Sequence, residues 1–402
     1  MRTPPPVSGE TYPSVTGSET RSNELWGGLN FQTAYEDNAL EGSNPIAEFT
    51  YSIKPMIAFD RMTPRLHQTF TYSPDFTLYQ RTSSRNEVDQ NASADFQYGL
   101  SSHTAVSVRD TFHKSTNVFN QPFAGVSGST QSQAEAIVAP FAAQLGNTGS
   151  ADLSYQFSAN GMIGGGGTSI IVNYLNPAQS EGLSNSNSRG GSGFYNLRLS
   201  SSQYVGTIYQ YLKMSADSVT SESEAQTHTI CGFYTIYLKH SLSISVTAGP
   251  QHFDVFDPSL RRTVSWTPAA SVGIGWQRNR ASIAANYSRT VSGSVGLLGA
   301  FQSNYANASA RWQLARSWTL GLTTTDASFK NVASTYPGSI PGGHTIWGTA
   351  SVQHLIGPRF MAELGYARLY QRYSGVEVLS ADPDSDSEYF SISYQLRRPL
   401  GR

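Results

Sequence analysis

Apolar and polar residues alternate along most of the chain, which is the pattern of β-strands whose two faces meet different surroundings. In residues 45–59, "PIAEFTYSIKPMIAF", the side chains of Phe49 and Tyr51 lie on one face and those of Glu48 and Lys54 on the other. The same alternation recurs as far as the last strand. The pattern therefore predicts an all-β protein.

The end of the chain, "SEYFSISYQLRRPLGR" (residues 387–402), has the same two faces, with Phe390 and Ile392 opposite Ser391. We expect this last strand to pair with a first strand near residues 25–35, because a closed ring leaves no unpaired edge in lipid. If the ring is a membrane barrel, the barrel assembly machinery is the expected partner, because it recognises the last strand.

The connections between the predicted strands alternate between short and long. Residues 101–103, 239–241 and 315–317 are short turns, whereas residues 117–149 and 374–387 are long loops. This layout is typical of a transmembrane antiparallel up-and-down β-barrel with short periplasmic turns and long extracellular loops, and it predicts about eighteen strands, with sixteen as the alternative. A soluble sandwich, β-helix or propeller is the competing interpretation.

The predicted domain organisation is simple. Residues 1–20 are rich in Pro, Ser and Thr and are expected to form an extended periplasmic tail, whereas residues 21–402 form one barrel. The start lacks the charged and apolar pattern of an export signal, so we expect the signal peptide to be missing from this sequence. The glycine run at 161–168 is expected to hide a turn.

Composition narrows the function classes. Only 14% of the residues are charged and the formal net charge is -1, so the chain has no overall electrostatic attraction to nucleic acid. Cys231 is the one cysteine, which excludes an intrachain disulfide, and no apolar run is long enough for a membrane helix. Outer-membrane lipid is therefore the expected surrounding, no cofactor is expected, and a homo-oligomer is left open.

Several segments, among them "GGSGFYNLRLSSSQYVG", "AQTHTICGFYTIYLK" and "SISYQLRRPLGR", resemble an uncharacterised family of porin-like outer-membrane β-barrels known mainly from acidobacterial genomes. The resemblance extends over most of residues 20–402. It implies a barrel in the cell outer membrane and carries over no functional residue.

Alternation also predicts which charged side chains line the interior. Both signs occur among them, which predicts a water-filled pore with weak ion selectivity, although pairing across the lumen is an equally good interpretation. The predicted pore-lining residues are Glu48, Lys54, His67, Asp75, Asp95, Arg109, His113, Arg198, Arg311 and Glu363.

Residues 117–149 form the longest predicted loop, and apolar residues recur in it at helical spacing. The loop either folds into the lumen as a constriction or packs outside on its neighbours. The residues expected to carry the constriction are Ile137, Val138, Phe141 and Leu145.

The stretch "DPDSDSE" places a carboxylate at every second position. Such a density of hard oxygen ligands suits calcium, although the stretch lacks the glycine and the later glutamate of an EF-hand loop, and a solvated acidic loop is the alternative. The four carboxylates belong to Asp382, Asp384, Asp386 and Glu388.

No catalytic motif is present, since neither G-x-S-x-G nor H-E-x-x-H occurs. The sequence thus predicts a non-enzymatic, porin-like channel for passive diffusion of small hydrophilic solutes. An export barrel for an anionic polysaccharide and a surface adhesion or structural barrel are the two alternatives.

Overall fold

The computed structural model describes ten stretches of the chain, and the structural statements below concern these residues. They are residues 23–39, 45–116, 143–176, 183–217, 222–239, 241–256, 262–293, 300–332, 342–374 and 384–399. The predicted N-terminal tail lies outside them. No helix in these stretches is long and apolar enough to cross a membrane.

Eighteen β-strands and one short 3-10 turn, Ser83–Arg85, make up the described structure. The strands are β1 Glu24–Glu36, β2 Glu48–Met62, β3 Leu66–Tyr79, β4 Glu87–Gly99, β5 Thr104–Ser115, β6 Gln144–Tyr155, β7 Gly161–Tyr174, β8 Asn185–Ser200, β9 Gln203–Asp217, β10 Glu222–Lys239, β11 Leu242–Phe256, β12 Thr263–Arg278, β13 Ala281–Gly293, β14 Ala300–Gln313, β15 Trp318–Asn331, β16 Gly342–Ile356, β17 Phe360–Ser374 and β18 Ser385–Pro399.

The strands form one closed sheet. Each strand pairs antiparallel with the strands before and after it in the chain, and β1 also pairs with β18, from Glu24 opposite Pro399 to Glu36 opposite Ser387. The predicted antiparallel up-and-down barrel of eighteen strands is therefore confirmed, as is the pairing of the last strand with the first. Closure gives every strand of the ring two neighbours, so no strand is left at the edge of an open sheet.

Alternate residues of each strand face opposite sides of the wall. One face carries large apolar side chains that are exposed, such as Phe31, Phe70, Ile283 and Trp312. The other face carries mostly Ser, Thr, Asn, Gln and charged residues, together with the apolar groups described below. In a closed barrel the first face is the outer one and the second lines the interior.

The connections differ in length between the two ends of the barrel. Those at the end that holds residues 156–160 and 201–202 are short, whereas those at the other end are mostly longer, such as residues 80–86 and 175–184. We call these ends the short-turn end and the long-loop end.

The glycine run at 161–168 does not contain a turn, which corrects the prediction made from the sequence. These residues belong to β7, and the turn precedes them at 156–160. A Cβ atom at Gly166 would lie 2.0 Å from Asp152 Oδ1, and one at Gly164 would lie 2.4 Å from the ring of Phe194. The glycines are therefore needed within the strand, because neighbouring side chains occupy the space that their own would need.

Two pairs of prolines interrupt the wall. In the first, the β2–β3 register stops at Ile53 opposite Phe76 and resumes at Ile57 opposite Tyr72, so Pro55 and Pro74 fall in the gap. In the second, Pro250 of β11 lies directly opposite Pro268 of β12. Proline has no N–H to donate to a neighbouring strand.

Candidate functional site: the barrel interior

All ten side chains predicted to line a pore lie on the inner face, opposite the exposed apolar residues of the same strands. The structure joins four of them in two ion pairs. Lys54 Nζ lies 2.7 Å from Asp75 Oδ2, and Arg109 Nε donates to Asp95 Oδ2 over 2.9 Å. These two pairs join neighbouring strands, β2 to β3 and β4 to β5, rather than opposite sides of the lumen. The water-filled pore with weak ion selectivity stays a prediction.

The other predicted interior residues are held locally. Glu48 accepts hydrogen bonds from Thr82, through the backbone N–H at 2.8 Å and Oγ1 at 2.6 Å. Glu363 accepts one from the hydroxyl of Tyr389 at 3.3 Å. Glu48 thereby anchors the connection between β3 and β4 at the long-loop end, and Glu363 joins β17 to β18.

The histidine and arginine predictions fall into the same pattern. The ring of His67 lies 3.4 Å from Asp60, and the ring of His113 lies against Gly146 of β6, where an added Cβ atom would be only 2.1 Å from its Cε1. Arg198 donates to the carbonyl of Ser200 over 3.0 Å. The structure brings Arg311 together with none of the other nine.

Acidic side chains dominate the inner face of β1 to β6. Among the described residues of these strands, the lysine and arginine residues on that face are Lys54 and Arg109, beside the histidines His67 and His113. The acidic ones are Glu24, Glu36, Glu48, Asp60, Asp75, Glu87, Asp89, Asp95 and Asp152. Asp75 and Asp89 lie directly opposite each other, and Ser115 Oγ donates to Asp89 over 3.1 Å.

Glu87, Asp89 and Asp152 were not predicted from the sequence. Glu87 and Asp89 alternate in step with Asp95 along β4, so the two-residue period would have identified them had the strand been extended towards its start. Asp152 lies in β6, and the sequence did not predict that this strand begins at Gln144.

The predicted constriction loop lies largely outside the described residues, including Ile137, Val138 and Phe141. Leu145 does not belong to a loop, because β6 begins at Gln144 and runs through it. Leu145 shares the outer face of β6 with the exposed Leu153. For this residue the sequence placed the end of the loop too late.

Of the predicted calcium ligands, Asp382 also lies outside the described residues. Asp384, Asp386 and Glu388 share one face near the start of β18, but arginines approach two of them: Arg372 Nη1 donates to Asp384 over 2.9 Å, and Arg368 lies 3.7 Å from Asp386. Nowhere in the described stretches do three His, Cys, Asp or Glu residues form a group suited to a metal ion. Calcium binding here stays a prediction.

The wall is open between β12 and β13 at the long-loop end. These strands pair from Arg278 opposite Ala281 to Ala270 opposite Arg289, and in the described structure no pairing joins Thr263–Ala269 to Thr290–Gly293. Residues 263–269 still pair with β11, and residues 290–293 still pair with β14. We call this gap the open seam.

Beyond the open seam, the end of β13 lies inside the barrel. Val291 belongs to the outer face of β13, like Ile283 and Tyr287, which are 50% and 43% exposed, yet Val291 is 1% exposed. It packs in an apolar cluster with inner-face residues of the neighbouring wall. The cluster consists of Leu212 and Met214 of β9, Ala225 of β10, Phe253 and Val255 of β11, Val291 of β13 and Ala300 of β14.

The side chain of Gln251 joins the two layers of the overlap. It extends from the inner face of β11 and is 2% exposed. Its Nε2 donates to the carbonyl of Val291 over 2.8 Å, and the N–H of Val291 donates to its Oε1 over 2.7 Å. The amide thus makes with β13 the two hydrogen bonds that a paired strand would make.

A row of aromatic and histidine side chains crosses the outer face near the open seam. Tyr211, His228, His252 and Trp266 lie directly opposite one another on β9 to β12. Neighbouring rings in the row have centroids 5.0 to 6.2 Å apart. The row marks one level of the wall close to the long-loop end.

Comparison with known proteins adds only weak likenesses. No family model matches the chain, and no curated protein matches it. Among solved structures it is similar to OpdO of Pseudomonas aeruginosa, with 11% identity and a TM-score of 0.46 over 93% of this chain and 97% of that one. It is also similar to OccK2 (OpdF) of the same organism, with 8% identity and a TM-score of 0.45 over 94% and 98%.

A third similarity is to the ferric citrate transporter FecA, with 9% identity and a TM-score of 0.47 over 94% of this chain and 79% of that one. At such scores the likenesses carry neither a mechanism nor a substrate to this chain. The predicted place in an acidobacterial family stays a prediction.

Proposed function

We propose that this protein is an outer-membrane, porin-like channel through which small hydrophilic solutes diffuse passively. The observation that carries the proposal is the closed ring of eighteen strands with an apolar outer face and a largely polar, charged inner face. A ring of this size is wide enough to enclose water unless something fills it. No step of chemistry is needed, since solutes follow their own gradients.

The strand lengths and the aromatic side chains support a place in a bilayer. Strands of 12 to 18 residues exceed the span of about 9–11 residues that a tilted strand needs to cross the hydrocarbon. Near the short-turn end, Trp318 stacks on His354 on the outer face, with ring centroids 4.2 Å apart. With the row from Tyr211 to Trp266, aromatic side chains thus occupy both rims, as in barrels of the outer membrane.

The distribution of charge supports a preference for cations. Carboxylates outnumber basic groups on the inner face of β1 to β6, and side chains that line a lumen set its selectivity through their charge. This sharpens the weak selectivity expected from the sequence. An exporter of anionic polysaccharide would need the opposite, a continuous ladder of basic side chains, whereas Lys54, Arg109, Arg198 and Arg311 stand on separate strands.

The test is conductance across a planar lipid bilayer. Detergent-purified, refolded protein should produce discrete current steps in KCl, and a KCl gradient should give a reversal potential of the sign for K⁺ permeation. Heat-denatured protein in the same detergent is the control. A bilayer that stays silent at all voltages would exclude the channel and leave a structural or adhesion barrel.

A further inference from the structure

The inward-folded ends of β13 and β14, Thr290–Gly293 and Ala300–Ser303, form a hairpin of the wall that we call the tucked hairpin. We propose that the tucked hairpin is the constriction of the channel and that Gln251 is the residue that positions it. The proposal rests on the proposed function as a channel. It differs from the loop constriction expected from the sequence, because the narrowing element is part of the wall.

The wall of the barrel does not follow a simple circle between β9 and β13. Some Cα atoms of β13 lie within 8 Å of Cα atoms of β9, although three strands separate β9 from β13 in the sheet. Four interstrand spacings of about 4.8 Å would place these strands about 19 Å apart along an unfolded wall. The wall must therefore turn back on itself, which brings β13 beneath the inner face of β9 to β11.

The tucked hairpin also fills the interior on its other side, which faces β15 to β17. Phe301, on the inner face of β14, is 1% exposed, and its ring lies 5.8 Å from that of Phe329. Phe329 in turn lies 6.4 Å from Tyr373 of β17. The tucked hairpin thus fills space between β9–β11 and β15–β17 that would otherwise belong to the lumen.

Pro268 contributes to the detachment of β13 from β12. If the β12–β13 register continued two residues beyond Ala270 and Arg289, Pro268 would lie opposite Val291. Pro268 cannot donate a hydrogen bond to the Val291 carbonyl. Gln251 supplies both the donor and the acceptor from inside the barrel, so the tucked position satisfies the backbone of Val291 better than the wall can.

The length of the paired part of β12 and β13 sets the level of the open seam relative to the bilayer. β12 and β13 remain paired over nine positions counted from the short-turn end. A tilted strand crosses the hydrocarbon in about 9–11 residues. The open seam therefore begins near the outer interface, where water can hydrate the edge of β12 from which β13 departs.

The functional test substitutes the positioning residue. In Gln251→Leu the amide is lost, the N–H and carbonyl of Val291 are left without partners, and the tucked hairpin should be released. We expect single-channel conductance in KCl to rise roughly twofold, because the conductance of a barrel follows the width of its lumen. Gln251→Glu, which can accept from the Val291 N–H but cannot donate to its carbonyl, should give an intermediate rise.

The matched control is Gln97→Leu, which makes the same change on the inner face of β4, where Gln97 Nε2 donates to Asp95 over 3.2 Å. Its conductance should stay at the wild-type level. Equal conductance of wild type and Gln251→Leu would overturn the constriction.

A second measurement does not depend on channel activity. In a Cys231→Ser background, Val291→Cys should resist N-ethylmaleimide in detergent, whereas Tyr287→Cys on the same face of β13 should react readily. Addition of Gln251→Leu should make Val291→Cys reactive. Reaction of Val291→Cys at the rate of Tyr287→Cys while Gln251 is intact would overturn the inward fold.

The two measurements separate the two proposals. If the bilayer stays silent for every variant while the reactivity of Val291→Cys changes as expected, the channel function fails and the positioning by Gln251 stands. If current steps are seen but neither conductance nor reactivity responds to Gln251→Leu, the channel stands and the tucked hairpin is not its constriction.

Discussion

Two regions of the wall contain facing prolines, and they respond to them differently. At Pro55 and Pro74 the β2–β3 ladder loses three positions and then continues in the same register. Near Pro268 the β12–β13 ladder ends, at Ala270 opposite Arg289, and it does not resume in the described structure. Pro250, directly opposite Pro268, behaves like the first pair, since the β10–β11 ladder stops at Gly232 opposite Ala248 and resumes at Thr229 opposite Gln251.

The difference shows that a missing donor does not by itself open a sheet. Near Pro55 and Pro74 the inner face carries the Lys54–Asp75 ion pair and a hydrogen bond of 3.0 Å between Ser52 and Thr77, which join β2 to β3 across the gap. Beside Pro268, other contacts favour the separation of β13 from β12. Gln251 binds the backbone of β13, and Val291 packs in an apolar cluster. The missing donor opens the sheet only where a competing partner for the backbone is present.

The largest expected effect comes from the apolar cluster that receives the tucked hairpin. Phe253→Ala should lower the free energy of unfolding by about 3–5 kcal/mol, because Phe253 is buried and its removal leaves a cavity. Phe76→Ala, beside the first proline pair on the exposed outer face, should cost clearly less. Urea unfolding in lipid vesicles, followed by tryptophan fluorescence, measures both. Equal losses would contradict the burial of the overlap.

The next effect concerns the prolines themselves. Pro268→Val restores a backbone donor opposite Val291, so β13 should return to the wall in part of the molecules and single-channel conductance in KCl should rise. Pro74→Val restores a donor where the ladder already continues, so its conductance should match wild type. A rise in both variants would show that the comparison between the two regions does not depend on the open seam.

The smallest effect sharpens the electrostatic side of the comparison. Asp95→Asn leaves Arg109 unpaired in the lumen and should shift the reversal potential in a KCl gradient towards anions, whereas Arg109→Met should shift it towards cations. Asp254→Asn provides the control, because Asp254 lies on the outer face, paired with Arg262, and should leave the reversal potential unchanged. Shifts of the same sign in the first two variants would contradict a lumen lined by β4 and β5.

Much of the fold was predictable because it follows from one physical regularity. Alternation assigned Glu48 and Asp95 to the inner face and Phe390 to the outer face, and connection length gave the strand count. The tucked hairpin was not predictable, since it depends on a contact between Gln251 and Val291 that are forty residues apart in the chain. Alternation even misleads there, because it places Val291 among the outward residues of β13.

Glycine was a further source of error for the same reason. In isolation the run at 161–168 indicates a turn, because glycine lowers the propensity for strand. In the barrel those positions lie under Asp152 and Phe194, which come from the strands on either side. The sequence pattern within one strand does not show which side chains of the neighbouring strands pack against it.

The central claim, that β13 folds beneath the inner face of β9 to β11, can be tested without any substitution. In perdeuterated, methyl-labelled protein in detergent micelles, the methyl groups of Val291 should give NOEs to methyl groups of the apolar cluster, such as those of Leu212, Met214 and Val255. They should give none to the alkyl protons of the detergent. NOEs from Val291 to detergent, with none to the cluster, would place β13 in an ordinary circular wall and contradict the account.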